Sequence, residues 1–83
     1  PEPRTITLSI DGLPGASISI PELPDAHGRS VNVPVEPDKL RSLHLFVTQS
    51  KNLAQAGSHE FRITVSDRQS FETDVYSANF EVP

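Results

Sequence analysis

A run of alternating apolar and polar residues from Arg41 to Gln49 constrains the fold of this chain most strongly. Leu43, Leu45 and Val47 fall on one side of an extended chain, because successive side chains in a strand point to opposite faces. Alternation of this kind is typical of a strand rather than a helix. We therefore predict a strand with an aliphatic inward face, whose second face is made partly apolar by Phe46.

The same alternation recurs along the rest of the chain, and turn residues separate the alternating segments at intervals of about 8–12 residues. The segment 50–57 ends in glycine and is too short for a stable isolated helix, so it predicts one helical turn or a loop held by Leu53. The other predicted strands are Arg4 to Asp11, Ala16 to Ile20, Ser30 to Val35, Ser58 to Asp67 and Phe71 to Val82.

Glycine and proline mark the connections between these strands. Residues 12–15, Gly-Leu-Pro-Gly, predict a turn, and we expect Leu13 to close one end of the core. Residues 21–29 contain two prolines and a polar run, which predict an exposed loop. Pro34 lacks a backbone N–H, so its strand suits the edge of a sheet. In the last strand the apolar parity switches near Val75 and Tyr76, which predicts a bulge that swaps the inward face.

These patterns predict an all-β fold, an antiparallel β-sandwich of about six or seven short strands. An open sheet with one wet face would leave too many aliphatic side chains exposed, and a small closed barrel is the alternative. The length of 83 residues indicates a single domain, residues 1–83, with a small core. The chain begins at Pro1 and contains no Met, so we expect it to be a piece of a longer protein.

Charge and composition exclude several partners. The formal net charge is −4 and charges of both signs are interspersed, which argues against nucleic acid or an anionic membrane surface. The sequence has no run of eighteen or more apolar residues, so we expect no membrane insertion by this domain itself. It also has no cysteine, which excludes disulfides, thiolate metal sites and a cysteine nucleophile.

Chemistry-bearing residues are few and scattered. His27, His44 and His59 are the candidate soft metal ligands, but their spacing forms no local pair. A metal site would need the fold to bring His44 and His59 together, and the alternative is that both are solvent-facing strand residues. The sequence has no Gly-x-Ser-x-Gly elbow, no glycine-rich phosphate loop and no carboxylate in an apolar context. We therefore predict no catalytic residues and no cofactor in this domain.

Two aromatic residues are candidate anchors for a protein partner. If Phe46 and Tyr76 are exposed on a face or edge of the sandwich, they could contact another protein. The alternative is that both pack between strands. The strand around Val33 could also accept a partner strand, although Pro34 would partly block it.

Three stretches together resemble a known family. They are ITLSIDGLPGASI, then VEPDKLRSLHLFVTQ, and then HEFRITVSD leading to NFEVP. In this combination the chain resembles the C-terminal immunoglobulin-like domain of FixG-type proteins, also called CcoG accessory proteins of the cbb3-type cytochrome c oxidase. The resemblance covers nearly all of the chain and consists of turn and core patterns.

The resemblance implies an immunoglobulin-like fold and a C-terminal place in a larger bacterial inner-membrane protein. Such proteins carry ferredoxin-like iron–sulfur cysteine motifs and are implicated in copper handling during oxidase assembly. None of those cysteines occurs here, so no cluster-binding role passes to this chain. The resemblance also implies a position on the periplasmic side, tethered through the parent protein. Family members usually have a strand before the one at Arg4, which leaves open whether the parent or another chain supplies it.

Three functions compete at this point. The first is a non-catalytic interaction or structural module that contacts an assembly partner or the parent's own periplasmic loops. The second is copper binding or relay, which requires His44 and His59 within a few ångströms of each other. The third is a generic extracellular adhesion or carbohydrate-binding module, for which one Tyr and no Trp provide a poor aromatic platform.

Overall fold

The computed structural model of the protein describes residues 4–36 and 43–83, which form seven strands in two antiparallel sheets. This confirms the predicted all-β sandwich. Within the part of the chain that is described, no helix is long and apolar enough to cross a membrane. The strands are β1 Arg4–Asp11, β2 Ala16–Ser19, β3 His27–Gly28, β4 Ser30–Val35, β5 Phe46–Gln49, β6 Gly57–Asp67 and β7 Thr73–Val82.

The larger sheet has the strand order β4-β1-β6-β7 and the smaller sheet has the order β3-β2-β5. β1 lies at the centre of the larger sheet, where Leu8 pairs with Val31 on one side and with Val65 on the other. The predicted bounds of β1 and β4 match the observed ones. β4 lies at one edge, as Pro34 predicts, because a residue without an N–H is tolerated there.

The core lies between the two sheets and consists of aliphatic side chains with one phenylalanine. Leu13 is buried and has a positive φ of 51° in the turn between β1 and β2, so it closes one end of the core as predicted. No buried side chain among the described residues is polar or charged. The buried set is Ile10, Leu13, Ala16, Ile18, Ile20, Val31, Val33 and Phe61.

β5 is shorter than the predicted strand, which spans Arg41 to Gln49. Residues 41 and 42 lie outside the described residues, residues 43–45 form no strand, and Leu45 is 37% exposed instead of inward-facing. The strand begins later than predicted because the backbone N–H of His44 donates to Oε1 of Glu22 at 3.0 Å, and not to a neighbouring strand. Alternation had correctly predicted that Val47 packs against the core.

The bulge predicted near Val75 and Tyr76 is wrong. The register between β6 and β7 runs without interruption from the Gly57–Val82 pair to the Ser66–Thr73 pair. Phe71, which suggested the switch of parity, lies in the preceding turn with a φ of 63° and is 85% exposed. The inward face of β7 therefore does not change.

Two connections also differ in detail from the predictions. The exposed loop at residues 21–29 contains the short strand β3, which pairs with β2. The segment 50–57 forms a single turn, in which the N–H groups of Leu53 and Ala54 both donate to the carbonyl of Ser50 at 3.1 Å. Gly57 belongs to β6 and does not end a helical turn.

The closest backbone approaches between the two sheets lie on the side of β4. The backbones of β2 and β3 approach β4, and β2 also approaches β1. No strand of the smaller sheet approaches β6 or β7 in the same way.

Candidate interaction surface

The inward face of β7 is largely exposed to solvent. Residues paired across an antiparallel sheet share a face, and Tyr76 pairs with Ile63, which in turn pairs with the buried Ile10. Tyr76 therefore points toward the core side of the larger sheet, yet 59% of it is exposed. Ala78, which pairs with the buried Phe61, is exposed as well. The inward face of β7 is therefore open to solvent at Tyr76 and Ala78, while Phe80 on the same face packs against the core.

The outward face of β7 carries a second exposed apolar side chain. Val75 pairs with Thr64 on the side of the sheet that faces away from the core, and 58% of it is exposed. Val75 and Tyr76 are therefore neighbours in sequence with almost equal exposure on opposite faces of one strand.

Phe46 lies on β5 and is 53% exposed. It neighbours Val47, which packs against the core, so Phe46 points away from the larger sheet. The two predicted anchors, Phe46 and Tyr76, are thus both exposed, but they lie on different sheets and do not share a face. An anchoring role for either residue stays a prediction.

A cavity of about 370 Å³ lies between the end of β5 and the beginning of β6. It is lined in part by Gln49, Leu53 and His59. Gln49 donates through Nε2 to the carbonyl of Pro14 at 2.8 Å, and its Oε1 is buried without a hydrogen-bond partner. The pocket is therefore bounded by the β1–β2 turn, the end of β5 and the beginning of β6.

The histidines are held by different partners. Nδ1 of His44 lies 2.6 Å from Oε2 of Glu22. That hydrogen bond, together with the His44 backbone N–H, lowers the pKa of Glu22 to about 2. Nε2 of His59 donates to the carbonyl of Gln55 at 2.6 Å. His27 lies on β3 at the far edge of the smaller sheet.

No metal centre is assembled by the residues that the structure describes, since they contain no group of three or more His, Cys, Asp or Glu side chains suited to a metal ion. Each of His44 and His59 has one ring nitrogen engaged, and the other remains as a single potential ligand. Tetrahedral sites need three or four protein ligands. A shared copper site at these two residues therefore stays a prediction.

A second, open groove of about 410 Å³ lies between the loop that follows β2 and the edge strand β4. Its lining includes Glu22, Asp25 and His27 beside Pro34. The lining residues are half-buried or exposed, so water screens their charges and their environment resembles a solvated surface. This groove offers no desolvated group of the kind that catalysis uses.

Comparison with known proteins identifies a family. A family model described as "IG-like fold at C-terminal of FixG, putative oxidoreductase" matches residues 1–83. The chain is 41% identical over all of its 83 residues to the nitrogen fixation protein FixG of Rhizobium meliloti (strain 1021). It spans only 16% of the length of that relative. No solved structure matches the chain.

Proposed function

This chain belongs to the family of immunoglobulin-like domains at the C-terminus of FixG, and from that premise we propose that it is a non-catalytic interaction and structural module of a FixG-like membrane protein. Its role is to contact the parent protein or an assembly partner on the periplasmic side of the bacterial inner membrane. The parent acts in the assembly of cbb3-type cytochrome oxidase and in copper handling.

The open inward face of β7 carries this proposal. Apolar side chains exposed together on a sheet face are a usual mark of a protein contact. Tyr76 supplies a large, rigid aromatic side chain on that face, and aromatic residues are enriched among the side chains that contribute most to binding.

The iron–sulfur clusters belong to the rest of the parent protein in this proposal. Protein-bound clusters are held by cysteine thiolates, with histidine as a partial substitute. This chain contains no cysteine, and its three histidines lie on or beside three different strands, β3, β5 and β6. The residues present do not fit a cluster, so no redox step involves this domain.

Domain deletion in a bacterium tests the proposal. We would remove residues 1–83 from the FixG-like protein that carries them and measure two quantities. The first is the iron–sulfur signal of the parent by electron paramagnetic resonance, which we expect to persist because the domain supplies no ligand. The second is the amount of assembled cbb3-type oxidase in the membrane, which we expect to fall. Unchanged oxidase together with a lost cluster signal would contradict the proposal.

Protease accessibility tests the location separately. In spheroplasts, whose outer membrane is permeabilised, added protease reaches only the periplasmic side of the inner membrane. We expect it to cleave the tether of this domain and release a fragment that an antibody against residues 1–83 detects. Cleavage only after lysis of the inner membrane would place the domain on the cytoplasmic side.

A further inference from the structure

We propose that the turn between β6 and β7 presents Phe71 as a rigid anchor for an apolar pocket, and that the pocket lies on the same polypeptide in the part that precedes β1. We call residues 68–72, which connect the two strands, the β6–β7 turn. The proposal rests on the proposed function, because it names one contact that the module makes with its parent.

Phe71 has a backbone conformation that its side chain does not favour. Its φ of 63° lies in the left-handed region, which is rare for a bulky side chain and which glycine or asparagine adopts with less strain. Leu13 also has a positive φ, but it is 5% exposed, so core packing offsets the strain. Phe71 is 85% exposed, so packing within the described part of the chain offsets little. Strain of this kind is found at binding sites, where it fixes a side chain for its partner.

Hydrogen bonds within the turn hold Phe71 in this conformation. Its N–H donates to the carbonyl of Asp67 at 2.9 Å. The Oδ1 atom of Asp67 accepts the N–H groups of Gln69 and Ser70 at 2.9 and 3.3 Å. Oγ of Ser70 accepts the N–H of Glu72 at 3.3 Å. The ring is therefore presented in one direction before any contact is made, which lowers the entropy cost of binding to a shaped pocket.

The β6–β7 turn is bonded to the beginning of β1. Nη1 of Arg4 donates to Oδ2 of Asp67 at 2.9 Å. The N–H of Arg68 donates to the carbonyl of Thr5 at 3.1 Å, and the N–H of Thr5 donates to Oε1 of Gln69 at 3.1 Å. Because β1 begins at Arg4, the polypeptide that leads into β1 comes close to the turn that carries Phe71.

The charges of the turn favour a protein pocket over a lipid surface. The carboxylate of Asp67 is paired with Arg4. Arg68 and Glu72 are both exposed and carry opposite charges. The turn therefore lacks the cluster of Lys and Arg side chains that anionic lipid attracts. A fluid lipid surface also gains nothing from a ring held in one direction, whereas a pocket that fits the ring does.

Buried area favours a pocket on the same polypeptide. One phenylalanine side chain buries about 150–250 Å², far below the roughly 1,200 Å² of a stable complex between separate proteins. A tethered pocket does not need that area, because linkage gives an effective concentration in the range of about 1 mM. The family model places the domain at the C-terminus of FixG, and the match spans 16% of the FixG relative. Most of a FixG-like parent therefore precedes β1.

Photo-crosslinking in the longer FixG-like polypeptide that carries this domain tests the proposal. We would replace Phe71 with p-benzoylphenylalanine, a photoreactive residue that keeps the ring, irradiate intact membranes and identify the crosslinked peptides by mass spectrometry. The matched control carries the same residue at Val75, which is 58% exposed on β7. We expect position 71 to crosslink within the polypeptide, outside residues 1–83, with a yield at least about tenfold above that of position 75, because tethering keeps the pocket occupied.

The crosslinked partner separates the two proposals. Crosslinks from position 71 only to another protein, to a second copy of the chain or to lipid would overturn the pocket on the same polypeptide. Crosslinks to a protein from position 76 but none from position 71 would overturn the Phe71 anchor and leave the interaction module standing. No protein crosslink from position 46, 71 or 76 would overturn both proposals.

A variant that keeps the fold gives a second test in the same longer polypeptide. Phe71→Gly removes the ring and suits the positive φ, so we expect the domain to stay folded. We expect protease to release the domain about tenfold faster from this variant, because the undocked domain no longer shields the segment before β1. Val75→Ser removes an exposed apolar side chain of β7 and should leave the rate unchanged. Equal rates for Phe71→Gly and the unmodified protein would contradict the proposal.

Discussion

Arg29 shows at the scale of a single residue how one side chain fixes a turn. Its Nη1 donates to the carbonyls of Leu13 and Ala16 at 3.0 and 3.1 Å, and its Nη2 donates to those of Ile10 and Gly12 at 3.2 and 2.7 Å. A planar guanidinium presents five donors in a fixed geometry, which suits several carbonyls at once. Arg29 therefore ties the residue before β4 to the whole connection between β1 and β2.

Replacement of Arg29 tests this role. We expect Arg29→Ala to lower the free energy of unfolding by about 1–2 kcal/mol, because the charge-assisted hydrogen bonds to the turn are lost. The loss is not larger because water can solvate the carbonyls that Arg29 leaves. Arg29→Lys should recover little of that loss, since one ammonium cannot reach four carbonyls. Urea unfolding followed by circular dichroism measures both variants. Arg62→Ala, on the exposed side of β6, is the control and should change stability by less than about 0.5 kcal/mol.

Glu22 gives a prediction on pH dependence. Its pKa is lowered from 4.5 to about 2, first by the hydrogen bond with the His44 side chain and next by the His44 backbone N–H. A carboxyl whose folded-state pKa is lowered stabilises the fold above its unfolded pKa, and that contribution is lost as pH falls from about 4.5 to about 2. We expect Glu22→Gln to make the melting temperature depend less on pH in this window.

The matched control for this prediction is Glu60→Gln, which removes an exposed carboxylate on β6 and should keep the original pH dependence. Asp67 supplies part of the pH dependence that remains in either variant. Its pKa is lowered, chiefly by the hydrogen bond from the backbone N–H of Gln69. Melting curves between pH 7 and pH 2 measure the effect. Parallel curves for Glu22→Gln and the unmodified protein would contradict the assigned role of the Glu22–His44 pair.

At the scale of elements, alternation predicts strands well where a neighbouring strand satisfies the backbone. β1 and β4 follow their patterns from end to end. β5 does not, because Glu22 takes the His44 N–H that a strand partner would otherwise bind. The error at β7 has a different origin. Phe71 has the same parity as Val75, which suggested a second inward face and therefore a bulge, but Phe71 belongs to the turn before β7.

Gly15 connects the β1–β2 turn to the turn that follows β5, and it gives an element-scale prediction. A Cβ at Gly15 would lie 2.5 Å from Cδ1 of Leu53 and 3.1 Å from Oγ of Ser50. At Gly12, in the same turn, the nearest atoms would be at 3.7 Å. Both glycines have a positive φ, 83° at Gly12 and 73° at Gly15, so alanine costs about 1–2 kcal/mol of backbone strain at either position.

We expect Gly15→Ala to destabilise the protein by about 1 kcal/mol more than Gly12→Ala, because it also displaces Leu53. Leu53→Ala should remove most of that difference, since the closest obstructing atom, Cδ1 of Leu53, is then absent while Oγ of Ser50 remains. A double-mutant cycle by urea unfolding measures the coupling. If Gly15→Ala and Gly12→Ala cost the same with Leu53 present, the two turns do not pack as the structure describes.

At the scale of the whole molecule, the sequence predicted which residues to consider but not how they are arranged. Tyr76 was identified as an aromatic residue that could be exposed on the sandwich, and 59% of it is exposed. Its exposure depends on how the two sheets pack against each other, which is set by contacts between residues distant in sequence. Alternation within one strand carries no information about what lies opposite that strand.

The arrangement of the histidines across the molecule leads to the last prediction. His44 is held through Nδ1 by Glu22 and His59 through Nε2 by Gln55, so each offers one free ring nitrogen. We expect copper or zinc to bind with no shared site at micromolar concentration, because a tight site needs three or four convergent ligands. Residue-resolved amide NMR during a metal titration measures this, with His44→Gln and His59→Gln as matched variants. Simultaneous shifts at both residues at one equivalent of metal, abolished by either substitution, would instead establish the copper-relay function and connect the domain to the metal chemistry of its parent.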